Sequence, residues 1–325
     1  MNRIFLFCMV LCISPFTGCD TGKEMKTLKL AHSLSVNHPV HEAVVFFAER
    51  VKEKSGGKLT IDIYPGGQLG SERELLELLQ MGSLTLTKVS VAVLENFVTE
   101  YRVFGYPYLF EDEEHLHQVL DSELGEQILE KGQRFRLRGL CFYDAGSRSF
   151  YTSQKPVRKP EDLEGLKIRV MKSNSAVNMV NTLGGSATPI AFGELYSAIQ
   201  QGVVDGAENN PPSFYTSRHY EVSKYFTIDE HTSIPDVLLI STIWWDALNE
   251  LEKKWVSEAA EESVAFQRKA WDRSVEESLK AIEEAGVTII RPDKTLFADK
   301  MDTLYQQIEK DDPVYSMVQK IRKSK

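Results

Sequence analysis

The sequence is poor in cysteine, and this restricts the chemistry that it can support. It has four cysteines in 325 residues, and Cys8, Cys12 and Cys19 all lie within the first twenty. Only Cys141 remains in the rest of the chain, which excludes an intrachain disulfide there. Cys141 lies in the apolar run 140–143 with no base beside it. We therefore interpret it as a small buried residue and not as a nucleophile.

The sequence also lacks a block of basic residues. It has 38 Lys and Arg against 47 Asp and Glu, a formal net charge of −9. Its only basic cluster is the short tail formed by Lys320, Arg322, Lys323 and Lys325. Nucleic acid is therefore excluded as the main partner. The charge of a small ligand is not decided by this sum, because a cleft can be locally positive in an acidic protein.

No apolar run is long enough for a membrane-spanning helix. Residues 4–16 form a short apolar stretch after Arg3, followed by Thr17-Gly18-Cys19. This resembles a bacterial lipoprotein signal, so we predict a signal peptide over 1–18, acylation of Cys19 and a tether over 19–26. The protein is then expected in the periplasm or at the cell surface, anchored to the cytoplasmic membrane by the lipid. The alternative is an ordinary secretory signal in which Cys19 is incidental.

Strand-like and helix-like stretches alternate along the mature chain, which indicates an α/β protein with parallel sheets covered by helices. The segments 74–84 (ELLELLQMGSL) and 194–204 (ELYSAIQQGVV) share one pattern of helix, glycine and strand. Because a chain of this length exceeds the usual single core, the repeat predicts two similar lobes. We assign 27–146 with about 235–275 to lobe I, and 147–234 with about 276–325 to lobe II.

Proline and internal glycine are absent from 246–285. Apolar residues recur there at helical spacing, with charges of both signs between them. This predicts one long helix, or two abutting ones, ending at Gly286 and packed across both lobes.

Arg169 lies near the end of the predicted strand 166–170 (LKIRV). A guanidinium beside a sheet is costly unless it is paired. Two roles remain open on these grounds alone: a structural ion pair, or a forked donor that awaits a carboxylate ligand.

Several common sites are missing. No Gly-x-Ser-x-Gly, phosphate-binding glycine loop or Cys–His arrangement is present. His38 with His41, and His115 with His117, have no further ligands at the spacing of a metal site. We therefore expect solvated histidines, no metal, no cofactor and no catalytic residues.

Residues 162–214 (DLEGLKIRVMKSNSAVNMVNTLGGSATPIAFGELYSAIQQGVVDGAENNPPSF) resemble the solute-binding proteins of tripartite ATP-independent periplasmic (TRAP) transporters. The resemblance continues over nearly the whole mature chain, including His38-Pro39, 64–77 (YPGGQLGSERELLE) and 219–226 (HYEVSKYF). It implies a periplasmic-binding-protein-like fold with two α/β lobes, a ligand cleft between them and a long helix crossing both. It also implies that Arg169 grips a substrate carboxylate. The other site residues implied are Arg148 as a second cation, Asn209 as an amide donor and Phe192 as a pocket wall.

The stretch 208–222 (ENNPPSFYTSRHYEV) is most similar to family members that take sugar acids such as uronates. Hydroxyls of such a ligand need polar partners, and the candidates by approximate position are His32, Glu74, Ser90, Tyr215 and Asp236. Capping, surface or supporting roles remain open for each, and Glu74 in particular could cap its helix. The function implied is a monomeric, non-enzymatic receptor that delivers a uronate to a TRAP permease. The alternatives are a binder of dicarboxylates or of 2-oxo or hydroxy acids, a lyase, or a sensor for a membrane kinase.

Overall fold

The computed structural model describes residues 25–310 and 312–324, and its strands form two sheets covered by helices. The strands in these ranges are β1 (Lys26–Ala31), β2 (Leu59–Tyr64), β3 (Leu86–Ser90), β4 (Leu137–Tyr143), β5 (Ser147–Thr152), β6 (Lys167–Val170), β7 (Ser186–Pro189), β8 (Gly206–Asn209), β9 (Tyr225–Ser233), β10 (Asp236–Ser241) and β11 (Thr288–Ile290). The α-helices are α1 (Pro39–Lys54), α2 (Glu72–Met81), α3 (Val91–Leu94), α4 (Glu113–Leu120), α5 (Glu123–Glu130), α6 (Asn174–Thr182), α7 (Leu195–Gln200), α8 (Pro211–Thr216), α9 (Thr242–Ala247), α10 (Glu250–Glu284), α11 (Thr295–Gln306) and α12 (Pro313–Lys323). None of the helices in the described ranges combines the length and the apolar character needed to cross a membrane. The predicted signal peptide and Cys19 lie outside the described residues.

Each sheet forms the centre of one lobe, so the two-lobed α/β fold is confirmed. The strand order is β2-β1-β3-β10-β4 in lobe I and β11-β9-β5-β8-β6-β7 in lobe II. In lobe I, β1 runs parallel to β2 and β3, whereas β10 is antiparallel to β3 and β4. In lobe II, β6 runs parallel to β7 and β8, whereas β5 is antiparallel to β8 and β9.

The expectation of parallel sheets is therefore wrong at one strand in each lobe. The exceptions, β10 and β5, are the strands that the chain enters directly after crossing from the other lobe. The preceding strands β9 and β4 end at the cleft, where Ser233 and Tyr143 lie, so the crossing strand starts at that same edge. It must then run against its neighbours, whose carboxyl ends face the cleft.

The repeated segment folds in the same way in both lobes. Helix α2 ends at Gly82 with φ +73° and leads into β3, and α7 ends before Gly202 with φ +69° and leads into β8. Both glycines adopt the left-handed conformation that closes a helix. The equivalent strands β3 and β8 both deliver their carboxyl ends to the cleft.

Helix α10 crosses both lobes as one continuous element of 35 residues. Its first turn is capped by Asn249, whose side chain accepts hydrogen bonds from the backbone of Leu251 and Glu252 at 3.0 Å. Val256 and Trp271 pack in the core of lobe I, and Ile282 packs in that of lobe II. At 1.5 Å per residue the helix is about 52 Å long, enough to span the molecule.

The C-terminal segment divides between the lobes. Strand β11 extends the lobe II sheet, and Phe297 of α11 packs in the lobe II core. Helix α12 instead inserts Val314, Val318 and Ile321 into the lobe I core. The structure thus places the end of the segment 276–325, predicted for lobe II, against lobe I. A short terminal helix carries no sequence feature that indicates which lobe its apolar face will cover.

The first crossing between the lobes, at residues 144–146, is tied to α10. Gln267 accepts a hydrogen bond from the Asp144 backbone N–H at 2.9 Å and donates to the Asp144 carbonyl at 2.8 Å. Gly146 has φ +54°, and a Cβ there would lie 2.9 Å from Trp271 Nε1. Only glycine fits this crossing.

A second contact joins the lobes beside the cleft. Glu95, which follows α3 in lobe I, accepts hydrogen bonds from Ser173 Oγ at 2.7 Å, from Ser175 N–H at 3.0 Å and from Ser175 Oγ at 2.8 Å. These donors surround the first turn of α6 in lobe II, so a carboxylate of one lobe caps a helix of the other. Asn96 adds a bond to the carbonyl of Lys172 at 2.6 Å.

Candidate functional site

A cavity of about 300 Å³ lies between the lobes, at the carboxyl ends of the strands. Seven of the predicted site residues line it: Arg169, Arg148, Asn209, Phe192, Glu74, Ser90 and Asp236. The cleft between two α/β lobes is where a ligand can touch both at once.

Arg169 lies on β6 and reaches the cavity with a buried guanidinium. Its side chain is 2% exposed. Nε donates to the carbonyl of Ile190 at 2.9 Å, and buried Nη1 has no hydrogen-bond partner. Arg169 takes part in none of the ion pairs found among the described residues. Burial lowers the pKa of Arg169, in spite of the opposing effects of Tyr151 and Glu208.

This geometry favours the second of the two roles left open by the sequence, a donor available to a carboxylate ligand. A structural arginine would be paired within the protein, because a buried cation without a partner is strongly unfavourable. Here Arg169 lines the cavity, and its Nη1 has no hydrogen-bond partner among the described residues. The arrangement is complementary to a carboxylate that brings its own charge and two oxygens.

Phe192 forms the wall next to this guanidinium. Its ring centroid is 5.9 Å from Arg169 Cζ, and its ring meets that of His219 edge-on at 5.7 Å. An aromatic face beside a cation offers an apolar surface against which a sugar ring can lie.

Arg148 differs from Arg169 because protein groups accept most of its hydrogen bonds. On β5, its Nε pairs with Glu208, and its Nη2 donates to the Glu208 carboxylate at 3.0 Å and to the Glu208 carbonyl at 2.8 Å. Its Nη1 donates to Asn209 Oδ1 at 2.8 Å. Four of its five N–H donors are thus accounted for. Arg148 lines the cavity, but most of its hydrogen-bonding capacity is directed into lobe II.

The Arg148 pair continues into a buried chain of charges. His231 Nδ1 lies 2.7 Å from Asp229 Oδ2, and its Nε2 lies 3.6 Å from Glu208 Oε2. Burial alone would raise the pKa of Glu208, but Arg148 and His231 hold it at about 2. Burial would likewise lower the pKa of His231, yet Asp229 and Glu208 raise it to about 9. The four groups carry two positive and two negative charges and compensate one another.

This network orients Asn209 at the end of β8. Asn209 Oδ1 accepts from Arg148 and from the backbone N–H of Asn210 at 2.9 Å. The amide nitrogen is left without a protein acceptor among the described residues. An amide whose oxygen is fixed in this way presents its two N–H donors to the cavity.

The lobe I wall is built around Lys88 on β3, a residue that the sequence interpretation missed. Lys88 Nζ lies 2.8 Å from Asp236 Oδ2 and 3.6 Å from Glu72 Oε1. Glu72 also accepts from the backbone N–H of Ser90 at 3.1 Å. Lys88 is 1% exposed, so its charge is compensated inside the wall.

Two further residues join the lobes at the cavity. His38 Nε2 lies 3.1 Å from Ser213 Oγ of α8, and its Nδ1 accepts from the backbone N–H of Val40. Because Nδ1 is an acceptor, Nε2 carries the proton and donates to Ser213. Burial keeps the pKa of His38 well below its usual value. The His38-Pro39 dipeptide was the sequence feature that could have marked this residue.

Three of the predicted hydroxyl partners have protein partners or lie elsewhere. Glu74 Oε2 accepts from Ser71 N–H at 2.7 Å and from Ser71 Oγ at 2.8 Å, so it caps α2 at the cavity mouth. His32 is buried beside His41 and is not part of the cavity lining. Tyr215 is 37% exposed, stacks on Tyr220 and also lies outside the lining. Ser90 and Asp236 do line the cavity.

The expectation of solvated histidines is wrong for His38 and His115, which are both buried. His115 faces inward because the apolar face of α4 covers lobe I. His117 comes together with Glu113 and Asp144, with one possible ligand atom of each within 4.8 Å. The 2.7 Å bond from His117 Nε2 to Asp144 and the nearby Arg268 already compensate these carboxylates. Cys141 is buried, and burial raises the pKa of its thiol to about 12, so it is not a reactive thiolate.

Comparison with known proteins places these features in one family. The family model for bacterial extracellular solute-binding protein, family 7 (DctP), matches residues 30–312. A TRAP periplasmic solute binding protein from Bradyrhizobium sp. BTAi1, in complex with α/β-D-galacturonate, is 39% identical with a TM-score of 0.89, covering 92% of this chain and 100% of that one. One from Anaerococcus prevotii with bound α/β-D-glucuronate is 38% identical with a TM-score of 0.87, covering 92% and 98%.

The C4-dicarboxylate-binding periplasmic protein DctP of Rhodobacter capsulatus is 31% identical over 266 residues, which are 82% of this chain and 80% of that protein. The similarity therefore extends over most of each chain. The chain belongs to bacterial extracellular solute-binding protein family 7, the DctP family of TRAP solute-binding proteins.

Proposed function

We propose that this protein is an extracytoplasmic receptor for a uronate, such as glucuronate or galacturonate, which it delivers to a TRAP permease. The observation that carries the proposal is the buried guanidinium of Arg169, which faces the interlobe cavity without an ion pair. A ligand carboxylate would satisfy it. The uronates bound in the two similar solved structures support the same ligand class.

The remaining walls suit the rest of a sugar acid. Asn209 supplies amide donors, Phe192 supplies an apolar face, and Ser90 and Asp236 supply polar groups from lobe I. A micromolar affinity needs only about 8 kcal/mol net, which a desolvated Arg–carboxylate pair and several hydroxyl contacts provide. Because both lobes contribute contacts, ligand binding favours the closed arrangement.

The experiment measures the melting temperature of the protein by scanning calorimetry in the presence of a panel of ligands. Glucuronate and galacturonate should raise the melting temperature of the wild-type protein, and glucose, which lacks the carboxylate, should not. Recovery of the ligand unchanged after incubation argues for a receptor and against a lyase. A shift produced only by amino acids or small dicarboxylates would overturn the ligand class.

We propose further that Cys19 carries the lipid that keeps the receptor at the cytoplasmic membrane. The Thr17-Gly18-Cys19 sequence after a short apolar run supports this. Cys19→Ser should move the protein from the membrane fraction to the soluble fraction, with Cys141→Ser as the matched control that stays in place. Membrane retention of the Cys19→Ser variant would contradict the anchor.

The receptor is expected to act as a monomer, because its cavity is completed by the two lobes of one chain. A role as ligand sensor for a membrane kinase uses the same cleft. Genes for the two permease subunits beside this one would favour transport.

A further inference from the structure

We propose that Lys88, Asp236 and Glu72 form a selectivity device in lobe I that accepts hydroxyls and rejects a second ligand carboxylate. The proposal rests on the function proposed above, in which Arg169 of lobe II takes the first carboxylate. It concerns the opposite wall of the same cavity, where the three residues line the space together.

The device is defined by the way its one cation is compensated. Lys88 Nζ lies 2.8 Å from Asp236 and 3.6 Å from Glu72, and the lysine side chain is 1% exposed. The strand register explains the first contact, because Asp236 at the start of β10 pairs with Ser90, two residues beyond Lys88 on β3. Glu72 approaches from the start of α2 and is fixed by the backbone N–H of Ser90.

The sum of these charges is never positive. With both carboxylates ionised the cluster carries −1. Burial raises the pKa of Glu72 against the effect of Lys88, and protonation of Glu72 brings the cluster only to zero. A ligand carboxylate placed here would leave water and meet no uncompensated cation, which is strongly unfavourable.

The other cations of the cavity do not supply a partner for a second ligand carboxylate either. Arg148 is paired with Glu208. Arg73 and Lys172 line the cavity but are exposed, so their charges are hydrated and screened. Arg169 therefore stands alone as a buried cation without a carboxylate partner among the described residues that line the cavity.

Hydroxyls fit the same wall well. The carboxylates of Asp236 and Glu72 are acceptors, and the hydroxyl of Ser90 can both donate and accept. A hydroxyl supplies the proton that these acceptors need, whereas a carboxylate has none to give. The wall therefore favours a monocarboxylate with several hydroxyls over an acid with carboxylates at both ends.

The test compares glucuronate with glucarate, which carries carboxylates at both ends of the same carbon chain, by calorimetry on full-length protein. Wild type should bind glucuronate at least 100-fold more tightly than glucarate. Asp236→Asn/Glu72→Gln removes both carboxylates and leaves Lys88 as an uncompensated cation, so it should weaken glucuronate about tenfold and strengthen glucarate at least tenfold. Adding Lys88→Met to this double variant should abolish the gain for glucarate.

Glu49→Gln is the matched control, because it removes an equal charge from the exposed face of α1, outside the cavity lining. It should leave the ratio of the two affinities unchanged. If the double variant does not fold, Asp236→Asn alone should shift the ratio in the same direction by a smaller factor, because it removes one of the negative charges that repel the second carboxylate of glucarate. An unchanged ratio in the folded double variant or in a folded Asp236→Asn protein would overturn the device.

The two proposals fail in different ways. If wild type binds glucuronate through Arg169 but the lobe I variants leave the ratio unchanged, only the device is wrong. If wild type binds no sugar acid, or binds one equally well after loss of Arg169, the proposed function itself is wrong.

Discussion

Arg148 and Arg169 lie on strands of one sheet, are both buried and both line the cavity, yet they do different things. Arg148 is bound to Glu208 and Asn209 by four hydrogen bonds. Arg169 makes one bond to a backbone carbonyl and leaves Nη1 unpaired. A guanidinium that is paired with a carboxylate of the protein stabilises the structure around it, whereas one without such a pair is available to a ligand. Burial alone does not identify a binding residue.

The strongest way to break this comparison is to remove Arg148. Arg148→Met leaves the carboxylate of Glu208 buried beside one remaining cation, and should lower the free energy of unfolding by about 3–5 kcal/mol. Urea unfolding followed by circular dichroism measures this. The double variant Arg148→Met/Glu208→Gln removes both charges and should recover at least half of the loss. No recovery would mean that Arg148 acts through packing and not through its pair.

Arg169→Met should weaken ligand binding without lowering the stability of the ligand-free protein, the reverse of the effect of Arg148→Met on stability. Affinity for glucuronate should fall at least 100-fold, about 2.7 kcal/mol, because the carboxylate loses its charged donor. The ligand-free protein should unfold at the same temperature or a higher one, since no carboxylate loses a partner. Calorimetry and thermal melting measure the two effects separately. A clear fall in ligand-free stability would show that the two arginines are alike.

The smallest expected effect is a pH dependence of stability that comes from the Arg148 network and not from Arg169. The pKa of His231 is raised from 6.5 to about 9 in the folded protein. Its contribution to stability is therefore complete below pH 6.5 and is lost as the pH rises through 9. Between pH 7 and pH 9 this amounts to about 2 kcal/mol.

His231→Gln should flatten the decline of stability over this range, as measured by urea unfolding at each pH. The Arg169→Met variant is the control and should decline as the wild type does. A wild-type stability that rises between pH 7 and pH 9 would contradict the assignment.

Much of the fold follows from local patterns. The two lobes, the repeated helix–glycine–strand unit and the long helix α10 are encoded by periodicity, by Gly82 and Gly202, and by the absence of helix breakers. The antiparallel strands β5 and β10 are not, because their direction depends on where the chain crosses between lobes.

The site was predictable only in part, because charge pairing is a matter of tertiary contact. Arg148 and Arg169 occupy similar strands, and Arg148 is distinguished by Glu208, 60 positions away. Lys88 meets Asp236 across 148 positions. Neither spacing has a periodic signature, so the sequence identified Arg148 and Arg169 but not which of them would be compensated, and it missed Lys88.

The contact of Glu95 with the first turn of α6 has a consequence for how the receptor reports its state. These bonds join the lobes with no ligand involved. A closed arrangement of the lobes therefore does not by itself indicate that a ligand is bound. Arg169 opposes closure without ligand, because closure then desolvates its guanidinium with no carboxylate to pair with it. A ligand carboxylate removes this desolvation cost. The closed arrangement is therefore more stable with ligand than without it, and a membrane partner can recognise that difference. A weaker Glu95 contact would reduce closure without ligand but would also slow closure with ligand. A stronger contact would increase closure without ligand.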